Sequence, residues 1–325
     1  MSLVIPDDQH VDAGCRALKW FSQAAGGSVI LMGGLVLAGW AGNNPVLKSV
    51  APGLTAMNPL TAMAFQLAGC ALLLLQAERL GSWRRRLGVL CAGLVVALAA
   101  IRLAGYLLHW DIALDRLLFT SQLDQEPVPN RMAPNTALCF LLVGSAFVLL
   151  DRETRGHRRP AQMMFLAAGI MSFTVLLGYI YSATIFMRVA YIPMALNTAL
   201  GFMLLATGGL GARPQHGLMA LVTSPETGGV IVRRLVPAAI LIPPAIGFIH
   251  LLGERWGLYS TEFGLALFVL SNVTIFLGLI WWSASAVEHL NMMRQRADAL
   301  ERENLRLETE TTERKRAEQL KVELL

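Results

Sequence analysis

The 325 residues are 55% hydrophobic and only 15% charged, with a mean hydropathy of +0.53, a balance that a water-soluble core of this size does not need. The chain is therefore expected to be a membrane protein. Its net charge of +5 and pI near 9.3 follow from Arg and Lys in loops facing an anionic leaflet, so they give no case for nucleic-acid binding.

A hydrocarbon span takes about 20 apolar residues. In chain order the apolar blocks predict eight spans, over 22–40, 57–77, 88–108, 132–150, 161–181, 192–210, 231–252 and 262–282. Residues 1–21 form a cytoplasmic N-terminal segment. The first block is too long for a secretory signal core and lacks a small-x-small cleavage site, which makes it a retained helix. Arg79, Arg84, Arg85 and Arg86 lie between spans two and three, Arg152, Arg155, Arg158 and Arg159 between four and five, and Arg213, Arg233 and Arg234 between six and seven. The intervening loops hold only Lys48, Arg116, Arg131, Arg188 and Arg255. That bias puts both termini in the cytoplasm. Cys15, Cys70, Cys91 and Cys139 form no C-x-x-C pair, so no disulfide framework is expected.

A repeat dominates the middle of the chain. "RMAPNTALCFLL" and "IPMALNTALGFMLL" share M-x-x-N-T-A-x-x-F, and "MNPLTAMAFQLAG" is a weaker copy in which Met57, Thr61, Ala62 and Phe65 match Met132, Thr136, Ala137 and Phe140. Each copy opens an even-numbered span at its outer end, so the units are helical hairpins. Asn135, Thr136, Asn197 and Thr198 stand where a helix starts and can accept from its orphan N–H groups. Water is absent in lipid, which raises the cost of leaving those donors bare. Ala137, Ala199, Gly144 and Ala206 allow close helix approach, and Phe140 and Phe202 fill the space between. The alternative is that Asn135 and Asn197 line a shared ligand cavity.

Arg102 is the clearest ionisable residue inside a span, expected to snorkel outward or to pair with Asp111 or Asp115. His109, Trp110, Arg188, Tyr191, His250, Glu254, Arg255, Trp256 and Tyr259 fall at a similar depth, with Asp124 and Glu126 in the same outer segment as Asp111. Arg102, His109, Asn135, Asn197 and His250 are the candidate ligand-binding residues. "WDIALDRLLFTSQL" puts Trp110, Ala113, Leu114, Leu117 and Leu118 on one helical face, predicting a helix along the membrane surface or capping the bundle. Pro237, Pro243 and Pro244 in span seven mark a kink or hinge, or reflect the ordinary frequency of proline in membrane helices. His109 and His250 lack metal-ligand spacing, and Met57, Met132 and Met194 read as apolar filler, so no metal site is assigned. No activated nucleophile, phosphate-cradling loop or paired carboxylate set is visible, and no catalytic residue is assigned.

After Trp281 and Trp282 the pattern continues without Pro or Gly. Leu290, Met293, Ala297, Leu300, Asn304 and Leu307 alternate by three and four, predicting a parallel dimeric coiled coil with Asn304 at a core position that sets register. Beyond Thr311 the seam slips, since Ala317, Leu320 and Leu324 arrive one residue early. The expected fold is all-α: a polytopic bundle of eight spans as four hairpins over 22–282, a signalling coil over 283–313, and the start of a dimerisation helix over 314–325.

"ERENLRLETETTERKRAEQLKVELL" resembles the linker of bacterial sensor proteins. Its final "AEQLKVELL" is similar to the opening of the dimerisation helix of sensor histidine kinases, where an L-K-x-E-[FL]-[LV] run precedes the box S-H-E-L-R-T-P. "ALDRLLF" and "RMAPNTALCFLLVG" resemble multi-pass regions found ahead of kinase and cyclase modules. The resemblance implies the input half of a two-component sensor histidine kinase in the bacterial inner membrane, homodimeric through its stalk and ending before the phosphoacceptor box. ATP, Mg and a response regulator are then expected only of the missing kinase domain, and this chain holds no cofactor. The alternatives are the membrane sensor of a diguanylate cyclase and, from another class, a transporter or membrane scaffold.

Overall fold

In the computed structural model, residues 6–51, 53–76, 81–110, 113–125, 129–154, 159–182 and 193–323 are described. The chain divides into two units, Met1–Pro225 and Glu226–Leu325, a boundary that falls inside the segment expected as one membrane domain. Among the described residues all regular structure is helical.

The first unit contains α1 (Pro6–Ala41), the short α2 (Pro45–Ser49), α3 (Pro59–Gln76), α4 (Ser82–Leu107), a 3-10 turn at Ala113–Arg116, α5 (Thr120–Leu123), α6 (Pro134–Val148), α7 (Pro160–Ile180), α8 (Leu196–Gly211) and α9 (Gly217–Thr223). Three hairpins pair α1 with α3, α4 with α6 and α7 with α8. They join edge to edge, α3 on α4, α6 on α7 and α8 back on α1, so the six long helices close a ring. The second limbs α3, α6 and α8 also meet each other and form its inner layer.

The repeat explains why the ring closes. Phe65, Phe140 and Phe202 come from the same register position of the three inner helices and touch in a triangle, with centroids 4.8, 4.8 and 4.6 Å apart and rings tilted or edge-on. Such offset geometries are the favourable ones for aromatic rings. All three rings are fully buried. Close approach then depends on absent side chains: a Cβ on Gly201 would lie 2.5 Å from the Met32 methyl and 2.7 Å from the Phe65 ring, and one on Gly144 would lie 2.8 Å from Val96.

At the opposite ends of the inner helices, Gln76, Asp151 and Arg213 stand the same number of residues after Met57, Met132 and Met194. Buried Arg213 donates to the Leu75 and Gln76 carbonyls at 3.0 and 2.9 Å and pairs with Asp151 at 2.9 Å. One guanidinium thus ties the ends of all three inner helices, satisfying carbonyls that a helix C-terminus leaves without partners.

Among the described residues six helices contain stretches long and apolar enough to cross a membrane: Gly14–Ala41, Pro59–Gln76, Trp83–Leu107, Pro160–Ile180, Thr227–Arg255 and Thr261–Ser285. The other two predicted spans, α6 and α8, are helical but have only 15 and 16 residues. They are short because the chain enters both helices late, from extended residues Ala133 and Ala195.

The asparagines at these starts accept from a first-turn N–H as expected, although neither is the N-cap residue. Ala133 and Ala195 are the N-cap residues and make no side-chain cap bond. Asn135 and Asn197 sit inside the first turn, where each side-chain oxygen accepts from the next backbone N–H, at 2.9 and 3.0 Å. Proline's fixed φ favours the first helical position, which Pro134 occupies in one copy and Leu196 in the other, so both asparagines stand second in their helices. In the weaker copy Asn58, just before Pro59, accepts from the Leu60 N–H at 2.8 Å.

The second unit is the hairpin of α10 (Thr227–Arg255) and α11 (Thr261–Glu323). Pro237, Pro243 and Pro244 lie inside α10, which remains one 29-residue element. Tyr259 in the connecting turn donates to the His250 carbonyl at 2.9 Å, and the His250 ring lies 3.1 Å from the Tyr259 hydroxyl and 3.5 Å from Ser271 Oγ on α11. Towards the other end of the hairpin the Arg234 guanidinium covers the Trp282 ring at 4.7 Å. α11 then runs unbroken for 63 residues, with no interruption at 283–287.

Removing one ring of the triangle leaves a cavity that rigid helices cannot fill. Phe140→Ala and Phe202→Ala are each expected to destabilise the first unit by about 3–5 kcal/mol, and Gly201→Ala to destabilise it through overpacking. Reversible unfolding of the purified chain in mixed micelles measures both.

Candidate functional site: a cavity at the three helix starts

Where α3, α6 and α8 begin, the chain is extended rather than helical, and the three starts surround a cavity of about 550 Å³. That falls in the roughly 300–1,000 Å³ range of small-molecule sites. Its walls repeat with the motif: Met57, Met132 and Met194, then Thr61, Thr136 and Thr198 one helical turn on. The residues that break the pattern come from the segments leading into each copy, notably Lys48, Ser49, Asn58, Asn130 and Arg131.

Extended backbone inside an apolar bundle must find partners, because an unmet peptide group there has no water to turn to. Each hairpin solves this alike. The Trp40 indole N–H donates to the Met57 carbonyl at 2.8 Å, the Tyr106 hydroxyl to Met132 at 2.7 Å, and the Tyr179 hydroxyl to Met194 at 2.9 Å. Each donor ends, or nearly ends, the first helix of its own hairpin. The N–H groups are met too, Met57 by the Lys48 carbonyl at 2.9 Å and Met132 by Asp115 Oδ1 at 3.2 Å.

Side-chain amides lace the three starts together. Asn58 donates to the Asn130 carbonyl at 2.8 Å and Asn130 to the Ala56 carbonyl at 3.0 Å, joining the first copy to the approach of the second. Asn197 donates to the Lys48 carbonyl at 3.0 Å, joining the third to the first. Lys48 is itself buried, its ammonium 4.0 Å over the Trp40 ring and 2.8 Å from Asn43 Oδ1.

Arg102 does not snorkel. It forms a 2.8 Å ion pair with Asp115, the two side chains 4 and 3% exposed, and donates to the Tyr106 hydroxyl at 3.1 Å. This pair supports the second start from behind, since Tyr106 and Asp115 hold the carbonyl and the N–H of Met132. The surface helix expected over 110–123 is accordingly broken: a 3-10 turn carries Asp115 inward, and Phe119 adopts a left-handed φ of 56° before α5. Trp110 and Leu117 remain exposed. Asp111, Glu126, Arg188 and Tyr191 lie outside the described residues.

Of the five residues expected to bind a ligand, none is in the described wall of the cavity. Asn135 and Asn197 stand next to lining residues Thr136 and Thr198, Arg102 supports the wall from behind, and exposed His109 has its Nδ1 3.1 Å from the Tyr106 carbonyl. His250 belongs to the second unit. Sequence reasoning missed Lys48, Trp40, Tyr106 and Tyr179. The three donors precede their methionines by 17, 26 and 15 residues, so no common spacing exposes them. The four cysteines are free thiols, and no group of three metal-ligating side chains occurs among the described residues.

Comparison with protein-family models, with curated proteins and with solved structures returns no match.

Breaking the Arg102–Asp115 pair from one side strands a buried charge, which typically costs about 3–5 kcal/mol. Asp115→Asn and Arg102→Met are each expected to lower the melting temperature of the purified chain strongly. Arg102→Met combined with Asp115→Leu should recover part of the loss, because neither charge is then left without its counterpart while the Met132 N–H still lacks its acceptor.

Proposed function

We propose that the chain is the membrane sensor and signal-transmitting part of a two-component sensor histidine kinase. The supporting observation is α11, which carries the last apolar stretch and the polar, heptad-patterned tail in one continuous helix from Thr261 to Glu323. A rigid rod of this kind passes displacement or rotation from one solvent to the other. The resemblance of the tail to kinase linkers gives the output its class.

In this reading α6 and α8 cross the bilayer with the six longer helices, giving eight spans in the bacterial inner membrane with both termini cytoplasmic. Ligand in the cavity favours one packing of the three helix starts, and the two units communicate through the chain that joins them. Two copies pair along Leu290, Met293, Ala297, Leu300, Asn304 and Leu307, and the stimulus shifts the paired stalk between registers. In the full-length protein ATP with Mg phosphorylates a histidine, from which the phosphoryl group passes to an aspartate of a response regulator.

Two measurements test this. Single cysteines at Met293, Leu300 and Leu307 in native membranes should crosslink to a second copy at least several-fold faster than cysteines at Gln295 and Arg302, which lie outside the predicted seam. The full-length protein given labelled ATP should form an acid-labile, alkali-stable phosphohistidine. A product made from GTP instead would move the chain to the cyclase class, and a monomeric stalk would remove the relay altogether.

A further inference from the structure

We infer that the end of the second unit's hairpin marked by Arg234 and Trp282 binds one anionic phospholipid, the guanidinium taking the headgroup phosphate. That this end meets the inner leaflet rests on the topology proposed above; the site itself needs only that the hairpin crosses a bilayer. Arg234 is the eighth residue of α10, and its guanidinium lies 4.7 Å from the Trp282 ring on α11. Among the described residues no carboxylate pairs with it, and its Nη1 is buried without a hydrogen-bond partner. The nearest acids along the two helices are Glu226, eight residues before it, and exposed Glu288, six residues after Trp282. A guanidinium at the edge of an apolar stretch draws its counter-charge from the surroundings, and in a bilayer the nearest anion is a lipid phosphate. The planar group can donate to phosphate through paired N–H bonds, and the stack on Trp282 fixes its plane.

The surface beside this pair suits a lipid rather than a soluble phosphate. Trp281 and Trp282 are 77 and 58% exposed, as amphipathic rings are where they sit at headgroup level. One helical turn further into the apolar stretch a Cβ on Gly278 would meet no neighbour within 4 Å, and Ile275 beyond it is exposed. Residues 275, 278 and 282 share one helical face. The missing side chain leaves a step along which an acyl chain can lie against α11 while its headgroup reaches Arg234. A zwitterionic headgroup brings its own ammonium to the phosphate, whereas an anionic one leaves that charge to the guanidinium.

Competition between two lipids of equal chain length tests the site on the delipidated full chain in detergent micelles, read by native mass spectrometry. With equimolar phosphatidylglycerol and phosphatidylcholine, one phosphatidylglycerol per chain should be retained at least about fivefold more often, as expected for one basic residue at a headgroup. Arg234→Met should lose that preference, Arg234→Lys should keep part of it, and Trp282→Leu should reduce it by freeing the guanidinium. Arg116→Met, at an exposed residue of the first unit, should leave it unchanged. Melting separates a lipid site from a purely structural clamp between α10 and α11: phosphatidylglycerol should raise the melting temperature of the unmodified chain and not that of Arg234→Met, whereas loss of a clamp would lower the variant equally in both lipids. The inference is overturned if the two lipids are retained alike, if Arg234→Met keeps the preference, or if inorganic phosphate displaces the lipid. Retention is read without kinase output or membrane orientation, so its failure leaves stalk crosslinking and phosphorylation untouched. Failure of the kinase reading likewise leaves the lipid site intact.

Discussion

The first unit depends on one requirement: three helices begin inside the bundle, and the peptide groups just before them must be satisfied without water. A helix provides its own partners; the residues leading into it cannot. The indole N–H of Trp40 and the hydroxyls of Tyr106 and Tyr179 meet the need from the neighbouring helix of each hairpin. Losing such a donor would leave a buried carbonyl uncompensated, a cost of about 1–3 kcal/mol. Because the starts can be held in extended form, α6 and α8 can be short, and the space a longer helix would fill becomes the cavity. The hole is thus a consequence of how the backbone is satisfied.

Repetition and difference have separate duties in this arrangement. What recurs, the Met, the Thr, the small residue and the Phe, builds a three-fold frame with a closed aromatic floor. What does not recur is charge and amide chemistry: Lys48 enters from the first approach, Arg131 from the second, and Asn58 with Asn130 bridges between them. A symmetric frame alone would offer three equal faces and no preferred orientation for a guest. The unequal polar residues make one side of the cavity unlike the others. At the far end of the inner helices Gln76, Asp151 and Arg213 follow the same logic, equivalent in position and unlike in chemistry, so that one guanidinium can serve three helix ends.

Sequence pattern makes the frame legible and leaves the site largely hidden, for a physical reason. The M-x-x-x-T-A-x-x-F repeat is local, so its register survives as spacing, and the roles of Phe140, Phe202 and Gly144 follow from it directly. The carbonyl donors are set by where the preceding helix ends, and the intervening segments differ in length. Asp115 is hidden for a different reason. Its neighbours Leu114, Leu117 and Leu118 suggest a helix lying on the membrane, and only the buried Arg102 requires the segment to turn inward. Asn135 and Asn197 are legible as residues of the helix starts, but not that each stands two residues after an alanine N-cap, because that cap makes no side-chain bond. Lys48 reads as an ordinary loop cation until Trp40 and Asn43 are seen to enclose it.

The long helix of the second unit joins two stretches of opposite composition, apolar over Thr261–Ser285 and polar beyond it. Over Thr261–Ser285 most of its apolar residues are exposed in the single chain, which suits lipid. Beyond that stretch Met293, Leu300 and Leu307 are 54, 62 and 54% exposed in the single chain, apolar residues on a polar, charge-rich part of the helix. A solvated helix draws little stability from propensity alone and normally relies on packing of one face. In the proposed dimer a second copy in the same bilayer would emerge in the same direction, so that parallel pairing would cover the stripe. Asn304 falls within that stripe. If two copies pair as proposed, its amide would prefer a partner at the same level, which favours one alignment at some expense of stability.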